Sequence, residues 1–465
     1  MTNNDIYEPA EDSYLLQKQI RKYAEGRILD LGTGSGIQAL TSIQSPNVRE
    51  VVAVDINPRA IEKLQRTVKE QKLRKMTVLQ SDLFQNVDGL FNLIIFNPPY
   101  LPQDKVGGKD IIDPALYGGK KGWEISLRFF QQASQYLLSD GHILFLFSSL
   151  TNKQKLETIM KSYLFEFQVI AEEKIPLFET LYVYLIKKSD VLIELEKKNI
   201  ENISYLSQGK RGNVYLGVFD RSRLIKTHFP KKDIVKVGIK IKREDSEAVD
   251  RMKNEAFWLK KLNHYNIGPR LLFSSEPKPD PSKDIESKIT PSKENKSNEH
   301  NSKEHNSKVR NSKEYNSAED KSNENGSQEQ KFLQTEYLVY EFVEGEPIMD
   351  WLKKAHKSQI SRALHEIIHQ CFILDTLKVN KDEMHHPLKH IIITLSGPVL
   401  IDFERCRETK KPKNVTQFVE FLCRIKEELG QKGILINAEN LRKLSKEYKE
   451  SIGERNLKPI LDLLR

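Results

Sequence analysis

Cysteine is scarce in this sequence, and long apolar segments are absent. The chain of 465 residues has three cysteines, Cys371, Cys406 and Cys423, which fall late in the chain and in no metal-ligand spacing. This excludes a disulfide framework and a cysteine-rich zinc site. No run of about 18 apolar residues occurs, and the first residues, MTNNDIYEPAED, have neither a basic start nor an apolar stretch, so we expect no membrane span and no secretory signal. We therefore expect a protein of the reducing cytoplasm.

Net charge is missing from the first part of the chain. Residues 1–190 hold 23 Lys/Arg and 23 Asp/Glu, so the remaining 51 basic and 42 acidic residues carry the whole net charge of +9. A basic nucleic-acid-binding body is therefore not expected in the first part, although a local patch stays open. The basic second part leaves a contact with RNA open.

The length exceeds what one hydrophobic core usually organises, which predicts two domains. Strand-like and helix-like segments alternate through residues 1–190, and this predicts a doubly wound, largely parallel α/β sheet. A bridging segment, 191–200, leads into a second α+β part, 201–465, in which strands precede helices. An insertion at 276–331 is made mainly of Asn, Ser, Lys and Glu, a composition that predicts disorder. The strands predicted for the first part are Arg27–Leu31, Glu50–Asp55, Met76–Gln80, Phe91–Phe96, Gly141–Phe147 and a closing pair around Phe165–Ile170 and Leu181–Lys187.

The strongest early motif is an apolar strand that runs into alternating glycines, ILDLGTGSG at residues 28–36. Glycines let the backbone pass close under a ligand that a side chain would block. Asp55, at the end of the next strand, can accept both hydroxyls of a ribose. The early third glycine and the preceding acidic residue are typical of S-adenosylmethionine (SAM) methyltransferases rather than of pyrophosphate binders. Asp82, after the third strand, could take the adenine amino group or could cap a helix. The candidate cofactor ligands within the turn are Asp30, Gly32, Thr33, Gly34 and Gly36.

The sequence Asn97-Pro98-Pro99-Tyr100 follows the fourth predicted strand and indicates the chemistry. A planar amide or aromatic amine is a poor nucleophile because its lone pair is delocalised. Two acceptors, the Asn97 side-chain oxygen and the Pro98 carbonyl, could each take one of its N–H protons, while the prolines fix the turn and Tyr100 packs on the planar face. Positioning against the methyl sulfonium then replaces a strong base. Adenine N6, cytosine N4 and a glutamine side-chain amide all remain open as substrates at this point.

Two further segments, YEPAEDS at 7–13 and ALYGGKKG at 115–122, narrow the substrate. Together with the motifs above, residues 5–188 resemble the HemK-type protein glutamine methyltransferases, most closely their archaeal/eukaryotic branch. The resemblance implies methylation of the glutamine amide in the Gly-Gly-Gln loop of a class I translation termination (release) factor. It also implies a partnership with a small zinc-binding activator protein. By resemblance, the substrate-binding residues are Tyr7, Glu8, Pro9, Asn97 and Tyr100, and the cofactor-binding residues are Glu11, Asp12, Ser13, Asp55, Asp82 and Asn97 together with the glycine turn.

Two other classes compete with this interpretation. An adenine-N6 methyltransferase acting on DNA or RNA would share the NPPY turn, but it would usually need a basic or separate target-recognition surface. The neutral first part argues against that class. An inert SAM-binding module would be expected to lose Asn97 or Asp55, and both residues are present.

The second part, over residues 200–425, resembles the atypical, RIO-like protein-kinase fold with two lobes. Gly209 and Gly212 lie in a predicted strand–loop–strand that would cover phosphates, and Lys240 is placed like the strand lysine that pairs with ATP. The resemblance further implies that Glu255 forms an ion pair with this lysine and that Asp402 holds Mg²⁺. Joining these two halves suggests an archaeal source.

The catalytic loop departs from the kinase pattern. The residues before Asp402 read DEMHHPLKHI from Asp382, and no Asp aligns with the expected His-Arg-Asp motif. Asp382, Glu383 and His385 each remain open as the base, and His390 or Lys389 stands where Asn is expected. We therefore expect ATP binding, and we leave open whether this part is a Ser/Thr-type kinase or a pseudokinase docking module.

Overall fold

The structure is a computed structural model. The predicted insertion at 276–331 lies outside the residues that it describes. These residues are 6–103, 116–176, 179–209, 212–224, 233–243, 250–275 and 336–464.

A seven-stranded mixed sheet forms the first part, in the order β3-β2-β1-β4-β5-β7-β6. The first five strands are parallel, and β7 pairs antiparallel with both β5 and β6. The strand order reverses between β1 and β4, where a doubly wound sheet opens a crevice at the carboxyl ends of its strands. This is the Rossmann-like fold of class I SAM methyltransferases, as predicted. The strands are β1 (Gly26–Leu31), β2 (Val48–Asp55), β3 (Met76–Gln80), β4 (Phe91–Phe96), β5 (Leu137–Ser148), β6 (Phe165–Ile175) and β7 (Glu179–Lys188).

Helices cover both faces of this sheet because its central strands are apolar on both sides. Alternate residues point to opposite faces, so Ile28 and Leu93 pack with one helical layer while Leu29 and Ile94 pack with the other. The first layer consists of α1 (Glu11–Tyr23), α2 (Ile37–Ser42) and α3 (Pro58–Glu70), and the second of α4 (Glu124–Ala133) and α5 (Lys153–Ser162).

A short helix, α6 (Asp190–Lys197), follows β7 directly and lies in the predicted bridging segment. Its apolar residues Val191, Leu192 and Leu195 are buried in one cluster with residues of the second part, including Phe219. Tyr337 also donates a hydrogen bond of 2.6 Å to Glu194 of this helix. The helix is therefore packed into the core of the second part.

The second part begins with a five-stranded sheet of order β11-β12-β10-β9-β8 and continues with a helical bundle. The sheet strands are β8 (Ile200–Gln208), β9 (Gly212–Asp220), β10 (Ile234–Lys242), β11 (Leu271–Ser274) and β12 (Tyr337–Glu341), and α7 (Arg251–Leu262) lies between β10 and β11 in the chain. The short strands that follow are β13 (Glu346–Pro347), β14 (Val379–Asn380), β15 (Ile391–Thr394), β16 (Gly397–Leu400) and β17 (Arg407–Glu408). The helices are α8 (Ile348–Lys354), α9 (Lys357–Thr376), α10 (Asn414–Arg424), α11 (Lys426–Gln431), α12 (Ala438–Glu450) and α13 (Glu454–Asp462), and they share one large apolar core with α7.

Among the described residues, no helix combines the length and the apolar character needed to cross a membrane.

Leu195→Ala should destabilise the protein, because Leu195 is fully buried between α6 and the second sheet. A large-to-small change in such a core costs about 2–5 kcal/mol in the free energy of unfolding. Chemical denaturation of the full chain measures the effect, with the exposed Lys197→Ala on the same helix as the control. Equal transitions for Leu195→Ala and the wild-type protein would contradict the packing of α6.

Candidate functional site

A pocket of about 490 Å³ opens at the carboxyl ends of the parallel strands, at the point where the strand order reverses. Its wall includes the glycine turn after β1, the end of β2, the turn after β4 and the start of α1. Among the predicted site residues, the pocket brings together Tyr7, Asp12, Ser13, Asp30, Gly32, Thr33, Gly34, Asp55, Asp82, Asn97, Pro98, Pro99 and Tyr100. Glu8, Pro9, Glu11 and Gly36 lie outside this wall, and Glu8 is an exposed ion-pair partner of Lys63 at 3.5 Å.

The glycine turn needs glycine for its backbone shape. Gly32, Gly34 and Gly36 have φ values of +63°, +52° and +85°, which other residues rarely adopt. A Cβ atom at Gly36 would also lie 2.6 Å from the Leu64 side chain. The turn therefore presents bare backbone to the pocket.

Two carboxylates hold the turn in place. Asp30 accepts hydrogen bonds from the Thr33 hydroxyl at 2.6 Å and the Ala39 amide at 3.1 Å, and burial raises its pKa to about 7. Asp55 accepts from the Gly34 amide at 2.8 Å and from the Asn57 amide at 2.8 Å, and burial raises the pKa of Asp55 as well. Asp30 thus connects the glycine turn to the start of α2, whereas Asp55 connects the turn to the end of β2.

Asp82 forms an ion pair with Arg128 of α4, with 2.7 Å between the nearest oxygen and nitrogen atoms. Both residues are half-exposed and both line the pocket. Sequence reasoning missed Arg128, because nothing in the local pattern of α4 marks it. An adenine amino group would have to share the Asp82 carboxylate with this guanidinium.

Asn97 lies at the end of β4 with its side chain fixed at one end only. Its Nδ2 donates a hydrogen bond of 2.8 Å to Asp12, and Tyr7 donates to the other oxygen of the same carboxylate at 3.1 Å. The Asn97 Oδ1 atom is buried, and no described residue donates a hydrogen bond to it. A buried acceptor without a partner is costly unless a ligand supplies the donor. Asn97 can therefore accept an N–H group from a planar amide or amine in the pocket.

The NPPY turn rests on the YGGKKG segment that the resemblance singled out. Gly118 fits because a Cβ atom there would lie 2.4 Å from the Pro99 carbonyl oxygen, and one at Gly122 would lie 2.4 Å from that of Tyr100. Thr151, which sequence reasoning missed, donates a hydrogen bond of 2.6 Å to the same Tyr100 carbonyl. Burial and nearby Asp12 raise the pKa of the Tyr100 hydroxyl, so the ring stays neutral.

A second cluster of charged side chains lies in the C-terminal part, around Lys240 of β10. Lys240 Nζ is 2.6 Å from Glu255 of α7, 3.8 Å from Asp402 and 3.7 Å from Glu404. One oxygen of each carboxylate lies within 4.8 Å of the others, an arrangement that could hold a divalent cation. Gly209 and Gly212 are joined by a backbone hydrogen bond of 2.8 Å at the turn between β8 and β9. The structure therefore brings Lys240, Glu255 and Asp402 together. Lys210 and Arg211 lie outside the described residues.

Comparisons with known proteins concern the first part of the chain. The family described as "Methyltransferase small domain" matches residues 10–175. A protein of Methanocaldococcus jannaschii, provisionally named as a protein N5-glutamine methyltransferase, is 36% identical over 180 residues, which are 38% of this chain and 90% of that protein. The release factor glutamine methyltransferase of Deinococcus radiodurans is 30% identical over 136 residues, 28% of this chain and 49% of that protein. The solved Mtq2-Trm112 complex of E. cuniculi is described as responsible for methylation of the eRF1 translation termination factor. It is 28% identical, with a TM-score of 0.32, and the match covers 40% of this chain and 99% of that chain.

Asp12→Ala should separate positioning of Asn97 from binding of the cofactor. The change removes the acceptor for Asn97 Nδ2 and Tyr7, so the Asn97 amide is no longer fixed. We expect methyl transfer to fall roughly tenfold to a hundredfold, while SAM affinity measured by calorimetry stays within about threefold. Asp88→Asn, at an exposed position outside the pocket, is the control. A large loss of SAM affinity would instead assign Asp12 to the cofactor, as its sequence context predicted.

Proposed function

Since this chain belongs to the HemK-type protein N5-glutamine methyltransferases, we propose that its N-terminal part methylates the side-chain amide of a glutamine in the Gly-Gly-Gln loop of a class I release factor. SAM-dependent protein-glutamine N5 methylation is the activity of its relatives in this family. The release factor as substrate, a small zinc-binding activator as partner and the cytoplasm as location are proposed together with it.

The pocket residues fit SAM, whose sulfonium supplies the electrophilic methyl group. The bare backbone of the glycine turn leaves space for the cofactor, and the Asp55 carboxylate at the end of β2 can accept ribose hydroxyls. These features agree with the general position of a ligand in an open α/β sheet.

The single observation that carries the proposal is the buried Oδ1 atom of Asn97, for which no described residue is a donor. Asp12 takes the Nδ2 group of Asn97 and so directs Oδ1 toward the substrate. The substrate amide would donate one N–H to Asn97 Oδ1 and the other to the Pro98 carbonyl, and Tyr100 would pack on its plane. No residue has to remove a proton before methyl transfer, because the amide nitrogen is held in line. As the new N–C bond forms, the methyl–sulfur bond would break with its electron pair left on sulfur, and the nitrogen would release one N–H proton to solvent.

Asn97→Ala should lower methyl transfer by at least about a hundredfold, because the substrate amide loses its orienting acceptor. SAM binding should change by less than about threefold. Exposed Asn47→Ala is the matched control. Near-normal turnover of Asn97→Ala would contradict the role of the amide.

The substrate is tested by labelled methyl transfer from SAM to an archaeal termination factor, to its Gly-Gly-Gln glutamine variant and to a mixture of tRNA and DNA. Parallel reactions contain the activator. Label on the wild-type factor alone supports the proposal. Label on nucleic acid alone would replace it with adenine-N6 methylation and would make the basic C-terminal part the RNA contact.

We further propose that the C-terminal part binds ATP as an atypical kinase-like domain. The supporting observation is the 2.6 Å ion pair between Lys240 and Glu255, which lies next to Asp402 in the manner of the kinase lysine, helix glutamate and metal-binding aspartate. The five-stranded sheet before the helical bundle agrees with a two-lobed kinase-like fold. Asp402 would hold Mg²⁺, which screens the phosphate charge, and one carboxylate oxygen each of Glu255 and Glu404 lies within 4.8 Å of an Asp402 oxygen.

Asp402→Ala should weaken Mg²⁺-dependent ATP binding at least tenfold, because the cation loses a ligand. Calorimetric titration of the full chain with ATP, with and without Mg²⁺, measures this. The exposed Asp350→Asn is the control. Unchanged nucleotide binding in Asp402→Ala would contradict the ATP site.

A further inference from the structure

Asn254 lies near the start of α7 and joins this helix to the segment that follows Asp402. Its Nδ2 group donates hydrogen bonds of 2.9 Å to the Glu404 carbonyl oxygen and 3.0 Å to the Cys406 carbonyl oxygen. Glu404 and Cys406 are both buried, so their carbonyl groups need protein donors in place of water. The Asn254 side chain thus fixes the backbone at 404–406 to the helix.

The indole of Trp258 fixes the orientation of this carboxamide. Trp258 is buried, and its Nε1 donates a hydrogen bond of 3.1 Å to Asn254 Oδ1. Because an indole N–H can only donate, it must face the oxygen of the amide, and the Nδ2 group is then directed to the two carbonyl groups. Asn254 therefore has protein partners at both ends of its amide.

Asp402 has a backbone conformation that needs support from its surroundings. Its φ of +65° lies in the left-handed region, which residues other than glycine rarely adopt. Such a conformation persists when neighbouring contacts hold it. On one side, the fully buried Lys381 donates a hydrogen bond to the Asp402 carbonyl oxygen. On the other side, Asn254 holds the backbone of the residues that follow Asp402.

The carboxylates around Lys240 need the same support. One oxygen each of Glu255, Asp402 and Glu404 lies within 4.8 Å of the others, and the Lys240 ammonium lies 2.6–3.8 Å from all three residues. Like charges this close repel each other, so the backbone must hold them in place. Asn254 precedes Glu255 in α7 and is bonded to the Glu404 carbonyl group, so it links two of these residues directly. The spacing of the three carboxylates therefore depends on this amide.

We infer that Asn254 is a positioning residue for the cation of the C-terminal part, an inference that rests on the proposed ATP site. Asn254 would contact neither the nucleotide nor the cation. It acts through the backbone at 404–406, which keeps Asp402 in its left-handed conformation. Without this amide, Asp402 can relax to an ordinary conformation, and its carboxylate is no longer held for the cation. Nucleotide contacts that do not involve the cation should remain.

Calorimetric titration of the full chain with ATP, in Mg²⁺ and in EDTA, tests this role. The ratio of the two Kd values gives the gain in ATP affinity that the cation supplies. Asn254→Ala should lower this gain by about tenfold, the lower limit of what loss of an orienting partner costs a metal site, and should leave the Kd in EDTA within about threefold. Asn254→Asp, which keeps the acceptor for Trp258 but has no donor, should lose the gain in the same way.

Asn263, at the other end of α7, is the matched control. Its Nδ2 donates hydrogen bonds to the Ile267 carbonyl oxygen at 3.1 Å and to the Pro269 carbonyl oxygen at 3.0 Å, and its Oδ1 accepts one of 2.8 Å from the Leu271 amide. The turn that these bonds fix contains none of the three clustered carboxylates. Asn263→Ala should therefore lower the melting temperature as Asn254→Ala does, but should leave the Mg²⁺-dependent gain within about threefold.

Each other outcome overturns a specific statement. An undiminished gain in Asn254→Ala, or an equal loss of gain in Asn263→Ala, would refute the positioning role and leave the ATP site intact. A parallel loss of ATP affinity in Mg²⁺ and in EDTA would also refute it, because it would make Asn254 a structural residue only. A wild-type chain that binds no ATP would refute the proposed site itself. Melting curves show which variants are folded at the titration temperature, and Asn254→Ser, which keeps one shorter donor, replaces any Asn254 variant that is not.

Discussion

The hydrogen bond between Asp12 and Asn97 joins the first helix of the chain to the end of the central strand β4. Eighty-five positions separate the two residues, and only the packing of α1 on the sheet, through Leu16 and Ile20, brings them within 2.8 Å. This bond decides which end of the Asn97 amide faces the pocket. A rotated amide would present a donor instead of an acceptor, and the pocket could no longer orient an N–H group. The chemistry of the N-terminal site therefore depends on a contact made by the core.

A buried charged side chain also orders the C-terminal cluster, but here it is a cation instead of a carboxylate. There a fully buried lysine, Lys381, connects the segment after β14 to the Asp402 backbone. In the first site, Asp12 takes up the Asn97 Nδ2 group, and no described residue donates to Asn97 Oδ1. In the second, the Lys381 ammonium also lies 3.5 Å from Glu383 Oε2. A buried polar atom without a hydrogen-bond partner costs free energy. A ligand that supplies the missing donor is therefore favoured over one that does not.

Sequence reasoning could predict what local pattern determines. Apolar runs identified β3 and β4 at their observed bounds, and the glycine turn predicted a pocket after β1. The fifth strand was predicted to begin at Gly141, but β5 begins at Leu137, which pairs with Phe91. The register of this pairing shifts after Phe91, and the polar residues that precede Gly141 resemble a turn in the sequence. The contact of Asp12 with Asn97 and the ion pair of Asp82 with Arg128 join segments that are distant in the sequence, so no local sequence pattern predicts them. The ion pair of Asp382 with Arg407 likewise joins segments that meet only in the folded chain.

Helix α6 has a consequence for how this chain can be divided. Leu164, from the turn before β6, shares a buried cluster with α6 and with β9 and β10, and the almost fully buried Lys188 of β7 pairs with Glu196 at 2.6 Å. A cut anywhere between residues 188 and 200 would strip apolar cover from both fragments. A cut before Glu196 would also leave the buried Lys188 ammonium without its counter-charge. The two parts of the chain thus share an interior, and neither could be exchanged for another without repair of the face that the exchange exposes.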